Sequence, residues 1–164
     1  MRILVACEYS GRVRDAFRAA GHDALSCDLL PTDVPGPHYQ GDVTDIINDG
    51  WDLMVAHPPC TYLCSSGLHW NKRRPERAQM TEDALEFVQF LLDASIPRIA
   101  LENPIGCIGT RIRKADQLMT AGAHRYEFRL LTPDEQPGNN TRALWIEGRS
   151  APRLLWVTAY NPDP

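Results

Sequence analysis

Two short motifs hold residues that could do chemistry together. The first, His57-Pro58-Pro59-Cys60-Thr61-Tyr62-Leu63-Cys64, comes directly off the apolar run Asp52-Leu53-Met54-Val55-Ala56. Each proline fixes its own φ, so a thiol is held just beyond a stretch that reads as a buried strand. In open α/β sheets, ligands and catalytic groups collect outside the carboxyl ends of strands, and Cys60 is therefore expected to face a cleft. The second motif, Glu102-Asn103-Pro104, stands in the same relation to the apolar run Ile96 to Leu101. A thiolate is a nucleophile, and a carboxyl kept protonated by apolar surroundings is a proton donor. Together they suit a pyrimidine ring: attack at C6 spreads negative charge over the ring, protonation at N3 relieves it, and C5 becomes able to accept a methyl group.

Each residue also has a plainer reading. Cys60 could be an ordinary buried thiol and Glu102 a capping or salt-bridging carboxylate. Cys7, Cys27 and Cys107 read as core or loop thiols, while Cys64 lies close enough to Cys60 to be taken for its partner. A zinc site built from His57, Cys60, Cys64 and His69 is a rival, but the spacing is irregular and a strand end interrupts it, unlike the paired knuckles of structural zinc sites. Metal ligation is not the expectation.

The rest of the chain reads as elements able to hold these two motifs. At 164 residues and 43% hydrophobic content, one domain with one sizeable core is expected over residues 1–164, with residues 149–164 forming an ill-defined tail. Five cysteines without framework spacing fit reduced thiols and a cytoplasmic setting. No run has the length of a signal peptide or a membrane span. A net charge of −4 argues against a uniformly basic nucleic-acid surface, yet Lys72-Arg73-Arg74-Pro75-Glu76-Arg77 and Arg111-Ile112-Arg113-Lys114 are local basic clusters suited to phosphate.

Arg2 to Cys7 predicts a buried strand, followed by a helix through Val13, Ala16, Phe17 and Ala20 with Ser10 as cap and Gly21 as stop. Ala24 to Cys27 predicts a second strand ending at Asp28, Leu30 to His38 a loop, and Gly41-Asp42-Val43 a turn at or after a third strand. Ser65 to Arg77 predicts a mobile loop, and Thr81 to Ser95 a helix capped by Thr81. Arg98 to Leu101 follows as a strand. Tyr126 to Leu131 and Ala143 to Ile146 predict further strands, separated by a turn over Thr132 to Asn140. Alternation on this scale implies an α/β fold with a doubly wound, mostly parallel sheet.

The order of motifs resembles the DNA cytosine-5 methyltransferases. Pro58-Pro59-Cys60 and Glu102-Asn103-Pro104 look like that family's nucleophile and acid motifs, and Val5-Ala6-Cys7-Glu8-Tyr9-Ser10-Gly11 like its first cofactor loop. Asp28 sits where an acidic residue binds the cofactor ribose, and Gly41-Asp42-Val43 resembles the step whose aspartate contacts adenine. The short, phage-type branch is most similar: Glu102-Asn103-Pro104-Ile105-Gly106 is followed by Thr110-Arg111-Ile112-Arg113-Lys114. The likeness spans Ile3 to Lys114.

The resemblance implies a Rossmann-like sheet of the S-adenosylmethionine-dependent type, methyl transfer to cytosine C5 in DNA, and a bacterial or phage-infected cytoplasm. Cys60 and Glu102 become catalytic. Tyr9, Ser10, Gly11, Asp28, Leu29, Asp42, Val43 and Pro58 fall at the S-adenosylmethionine site, and Ser65, Ser66, Asn103, Arg111, Arg113 and Arg142 toward DNA. The chain departs from the family in having one glycine in the first loop. Asn139-Asn140-Thr141-Arg142 is a poor match to the motif that holds the pyrimidine. Fifteen residues follow Arg149, so no separate target-recognition domain is expected, and sequence recognition would come from a protein partner or be slight. A free cytosine nucleotide as substrate, or a catalytically silent module binding DNA or another protein, are the alternatives.

Overall fold

The computed structural model describes residues 1–121, 128–130 and 141–148. β1 (Arg2–Ala6), α1 (Arg12–Ala19), β2 (Asp23–Asp28), β3 (His38–Gln40) and β4 (Leu53–Ala56) come first. They are followed by α2 (Ser65–Leu68), α3 (Pro75–Leu92), β5 (Arg98–Pro104), α4 (Ile108–Arg111), β6 (Gln117–Ala121), β7 (Phe128–Leu130) and β8 (Thr141–Gly148). Among the described residues the strands form one sheet in the order β3-β2-β1-β4-β5-β8-β6-β7. The first five are mutually parallel, an α/β arrangement compatible with a Rossmann-like sheet. β8 joins β5 antiparallel, and β6 and β7 continue antiparallel.

The alternation of side chains along a strand divides the core in two. Leu4 and Ala6 of β1, with Met54 and Ala56 of β4 and Ile99 and Leu101 of β5, pack under Leu85, Val88, Leu91 and Leu92 of α3. Ile3, Val5, Ala24 and Val55 face the other way and meet Val13 and Phe17 of α1. One helix thus covers each face, which explains why the strands are apolar at successive positions. Burying a side chain such as Leu101, 0% exposed, is worth about 1.5–3 kcal/mol.

Three expectations need correction. Ser65 to Arg77 is not a structureless loop: it contains α2, a 3₁₀ turn at His69–Lys72 and the start of α3. α3 begins six residues before Thr81, with Pro75 in its first turn, where a missing N–H costs nothing. Thr81 is therefore not a cap. It is buried within the helix, and its single hydroxyl proton is shared between the carbonyls of Tyr62 (3.1 Å) and Arg77 (3.2 Å). Finally, Glu102-Asn103-Pro104 is not beyond a strand but inside β5, because β8 pairs along it as far as Pro104↔Arg142. The sequence pattern predicts no strand at Gln117–Ala121, where β6 runs. The predicted strand over Tyr126 to Leu131 is described only at Phe128–Leu130, and Ala143 to Ile146 is part of β8. The turn Thr132 to Asn140 and the tail from residue 149 lie outside the described residues.

Candidate active site

The parallel register sets one row of residues along the carboxyl edge of the sheet. Asp28 is opposite Gln40, Ala6 opposite both Cys27 and Ala56, and Ala56 opposite Leu101. One residue further along, Asp28, Cys7, His57 and Glu102 follow one another across β2, β1, β4 and β5. Strand order reverses between β1 and β4, the point at which open sheets bind ligands.

At the β4–β5 end of this row, His57 Nδ1 and Glu102 Oε2 lie 3.2 Å apart, with side chains 25% and 21% exposed. His57 Nε2 is buried and has no hydrogen-bond partner among the described residues. Asn103 donates from Nδ2 to the Pro58 carbonyl at 2.8 Å. The turn carrying Cys60 is closed by the Leu63 and Cys64 amides, both 3.0 Å from the Cys60 carbonyl. Two more backbone bonds sew this turn to the segment after β5: Cys107 N to Leu63 O at 2.8 Å and Ser65 N to Ile105 O at 3.0 Å. Cys64 and Gly106 form the bridge between them. A Cβ on Gly106 would stand 1.8 Å from the Leu63 carbonyl oxygen and 2.7 Å from Cys64 Cα, so only glycine permits this approach. The two motifs singled out in the sequence are one physical unit.

The β1–β2 end is acidic. Cys7 has φ 58, a left-handed conformation that costs a residue with a side chain about 1–3 kcal/mol. It turns the chain so that the Glu8 amide returns to the Cys27 carbonyl (3.0 Å) and the Glu8 side chain becomes 6% exposed. Glu8 Oε1 accepts the Arg12 amide (3.0 Å) and the Ser10 hydroxyl, and its other oxygen is buried with no partner among the described residues. Glu8, rather than Ser10, supplies the main anchor at the start of α1. Gly11 has φ 74, and a Cβ there would lie 2.5 Å from both Arg14 and Val34 side-chain atoms.

Arg14 escaped the sequence reading. It is fully buried, pairs with Asp15 at 2.7 Å, and donates to the carbonyls of Val34 and Pro35, both at 3.3 Å, so it ties the proline-rich loop to α1. Apart from Asp15 its partners lie 12 to 23 residues away, and no local pattern marks it. Asp28 accepts from the Leu30 amide (2.9 Å), leaving Leu29 71% exposed, and Tyr9 is 44% exposed. Asp42 accepts from the Thr44 amide (2.9 Å), which holds its carboxyl below the usual range.

Several expected contacts look different in place. Val43 is only 5% exposed and belongs to the core, and its carbonyl accepts the Ile46 (3.2 Å) and Ile47 (2.9 Å) amides. Pro58 is buried, and Asn103, 1% exposed, is occupied in holding the Pro58 carbonyl; burial removes Asn103 from direct contact with DNA. Ser65 and Ser66 are exposed at the start of α2, with Ser66 Oγ 3.2 Å from Cys64 Sγ. Arg111 grips Glu82 with two bonds (3.0 and 2.6 Å), and Arg113 meets Asp116 at 2.8 Å. Both cations are thus locally neutralised. Arg142 lies in β8, and its side chain is outside the described residues.

Among the described residues no three His, Cys, Asp or Glu side chains gather as a metal site; of the rival zinc set, His57 turns to Glu102, Cys64 to Ser66 and His69 to the Trp70 ring. Burial pushes the Cys7 and Cys27 thiols up to about 12, helped by Asp28, and burial also raises Cys107. These three are protonated packing thiols near neutral pH, whereas Cys60 is partly exposed on its turn. Among the described residues no helix is long and apolar enough to cross a membrane. The chain matches no protein-family model and no curated protein at a significant level.

Proposed function

We propose that this protein transfers a methyl group from S-adenosylmethionine to C5 of cytosine in DNA. The observation that carries this reading is the junction of β4 and β5, where the Cys60 turn is bonded to the strand that holds Glu102. Cys60, as thiolate, adds to C6 and forms a carbon–sulfur bond, while Glu102 gives a proton to N3. The resulting enamine is nucleophilic at C5. S-adenosylmethionine, when bound, supplies an electrophilic methyl group to that carbon. Loss of the C5 proton to a base restores the C5–C6 double bond and expels Cys60, and Glu102 recovers its proton from N3. His57 is a positioning residue that holds the Glu102 carboxyl.

The residues at the β1–β2 end suit the methyl donor. The unpartnered Glu8 oxygen is an acceptor for an α-ammonium group, Asp28 for ribose hydroxyls and Asp42 for an exocyclic amine. Exposed Leu29 and Tyr9 offer apolar surface to a purine. A base within a duplex cannot reach Cys60, so the target cytosine is flipped out or already single-stranded.

Incubation with methyl-labelled donor and duplex DNA, single-stranded DNA or deoxycytidine monophosphate tests the reading. Label on DNA cytosine with wild type and none with Cys60→Ala is expected. The neutralised state of Arg111 and Arg113 favours a second reading, in which the substrate is the free nucleotide. Label on the monophosphate alone would establish it, and donor binding without label anywhere would point to a silent module.

A further inference from the structure

The segment between α2 and α3 carries a feature that methyl transfer does not use. Trp70 is 40% exposed, a costly place for a large indole unless something covers it. The guanidinium carbons of Arg73 and Arg74 stand 5.6 and 5.4 Å from its ring centroid, and the His69 ring lies 4.8 Å away at 41°. Lys72, Arg73 and Arg74 are all exposed, and none is in an ion pair among the described residues. In a chain of net charge −4 this concentration of uncompensated cation is distinctive, because both arginines of the second basic cluster are paired, with Glu82 and Asp116.

The patch is also fixed in relation to Cys60. Arg77, the next basic residue, has a different employment: it donates to the Thr61 carbonyl (2.7 Å) and the Gly67 carbonyl (3.3 Å) and lies 4.8 Å over the Tyr62 ring. Asn71 donates to Thr81 Oγ1 at 2.9 Å, and Thr81 reaches the Tyr62 carbonyl. The Arg73 and Arg74 amides both donate to the Trp70 carbonyl at 3.0 Å. The Trp70 turn is thus tied through the side chains of Asn71, Thr81 and Arg77 to the turn that holds Cys60, while the indole and its cations stay outward.

We propose that Trp70 with Lys72, Arg73 and Arg74 is a binding platform for single-stranded DNA, stacking an unpaired base on the indole and holding its phosphates on the arginines and lysine. An aromatic face beside cations is the chemistry by which single strands are held without sequence readout. Every base has a π-face, but in a duplex those faces are already stacked on their neighbours. Arg73 or Arg74 needs only a side-chain rotation to exchange the ring for a phosphate. The inference rests on the DNA reading and deepens it: the preferred substrate is cytosine in unpaired DNA, with neighbouring nucleotides anchored on this platform.

Binding of the full chain to fluorescent oligonucleotides lacking cytosine, without methyl donor, separates this inference from the catalytic one. Wild type is expected to favour the single strand over the duplex, and Trp70→Ala to lose about tenfold in affinity for the single strand, the value of one stacked base, with little change for duplex. Trp70→Phe should restore most of the loss. An oligonucleotide with abasic sites throughout should bind wild type and Trp70→Ala equally. Changing Arg73 and Arg74 to alanine should reduce the slope of log affinity against log salt by about 1.4, the counterion release of two phosphates on a single strand. Equal loss on single strand and duplex, or a Trp70→Ala penalty that persists on the abasic strand, would assign the indole to local structure and overturn the proposal. So would tighter binding of RNA than of DNA. Methyl transfer to DNA by a Trp70→Ala protein with unchanged binding would remove this inference and leave the proposed function standing; strand binding without methyl transfer would do the reverse.

Discussion

Gly106→Ala is the sharpest single perturbation of the site, because the added carbon meets backbone on the other motif. Its Cβ would be 1.8 Å from the Leu63 oxygen, where ordinary contact begins at 3.4 Å. Neither partner is a flexible side-chain tip, so the Cys60 turn and the segment after β5 must separate by more than an ångström. Two hydrogen bonds cross that gap, Cys107 N to Leu63 O and Ser65 N to Ile105 O. Their loss, at about 1 kcal/mol each, adds to strain of about 1–3 kcal/mol, for a total of about 3–5 kcal/mol. A domain of this size has about 5–15 kcal/mol in all, so a protein near the middle of that range still folds after this loss. With a urea slope of about 2 kcal/mol/M its midpoint should fall by about 1.5–2.5 M. The chemical effect should be larger than the stability effect: displacing a nucleophile by about 1 Å costs on the order of a hundredfold. DNA containing 5-fluorocytosine, which cannot lose a proton from C5, should trap the Cys60 adduct at a correspondingly slower rate. Gly109→Ala is the control, since a Cβ in α4 there meets nothing within 4 Å and alanine favours helix by about 1 kcal/mol. Wild-type urea midpoint and trapping rate in Gly106→Ala would refute the view that this close approach aligns the two motifs.

Cys60→Ala should form no adduct with 5-fluorocytosine DNA while Cys64→Ala still does, as read by a denaturing gel; equal trapping by both variants would show the wrong thiol was chosen. Iodoacetamide at pH 8 should modify Cys60 and Cys64 and spare Cys7 and Cys27, whose thiols burial holds at about 12, a pattern read by peptide mass spectrometry. S-adenosylhomocysteine should raise the melting temperature by mass action, and Asp42→Ala should reduce that shift by removing an interaction of about 1–2 kcal/mol. The Arg111 guanidinium holds the Glu82 carboxyl below its ordinary 4.5, so the pair contributes fully above the unfolded value and is lost as pH falls through the lower folded one. Glu82→Gln should lower stability at neutral pH and flatten its dependence on pH across that acidic window, bringing variant and wild type together at the acid end.

How far the sequence discloses this site depends on whether the signal is local. The β1, β4 and β5 strands are legible because apolar residues at successive positions have only one physical use in a chain of this size, burial on both faces. Cys60 stands out because two prolines stiffen the approach to it. The start of α3 is hidden, since Pro75-Glu76-Arg77-Ala78-Gln79-Met80 shows no apolar stripe; that turn is held by Arg77 and Thr81 reaching back to Thr61 and Tyr62. The extension of β5 through Pro104 is hidden for the same reason, being imposed by β8. Glu102 and Asn103 look alike in sequence, two polar residues after an apolar run. Pleating separates them, so that Glu102 meets His57 at the open edge and Asn103 is buried against Pro58.

The same distinction decides which basic residues can meet a polyanion. Sequence shows two clusters of similar composition, and counting charge cannot rank them. The fold ranks them by what each charge already touches. Arg111 has spent its planar fork on the two Glu82 oxygens, the geometry that guanidinium would otherwise offer to phosphate, and exchanging one partner for the other returns little. Lys72 faces outward, and Arg73 and Arg74 rest on the Trp70 ring, so the two arginines give up only a cation–π contact of about 0.5–1 kcal/mol for a charged partner. Replacing Arg111 and Arg113 with alanine should therefore leave the salt slope of DNA binding nearly intact, while the same change at Arg73 and Arg74 lowers it. A slope governed by Arg111 and Arg113 would mean that their ion pairs open on the nucleic acid and that the acidic partners, Glu82 and Asp116, act as a brake on binding.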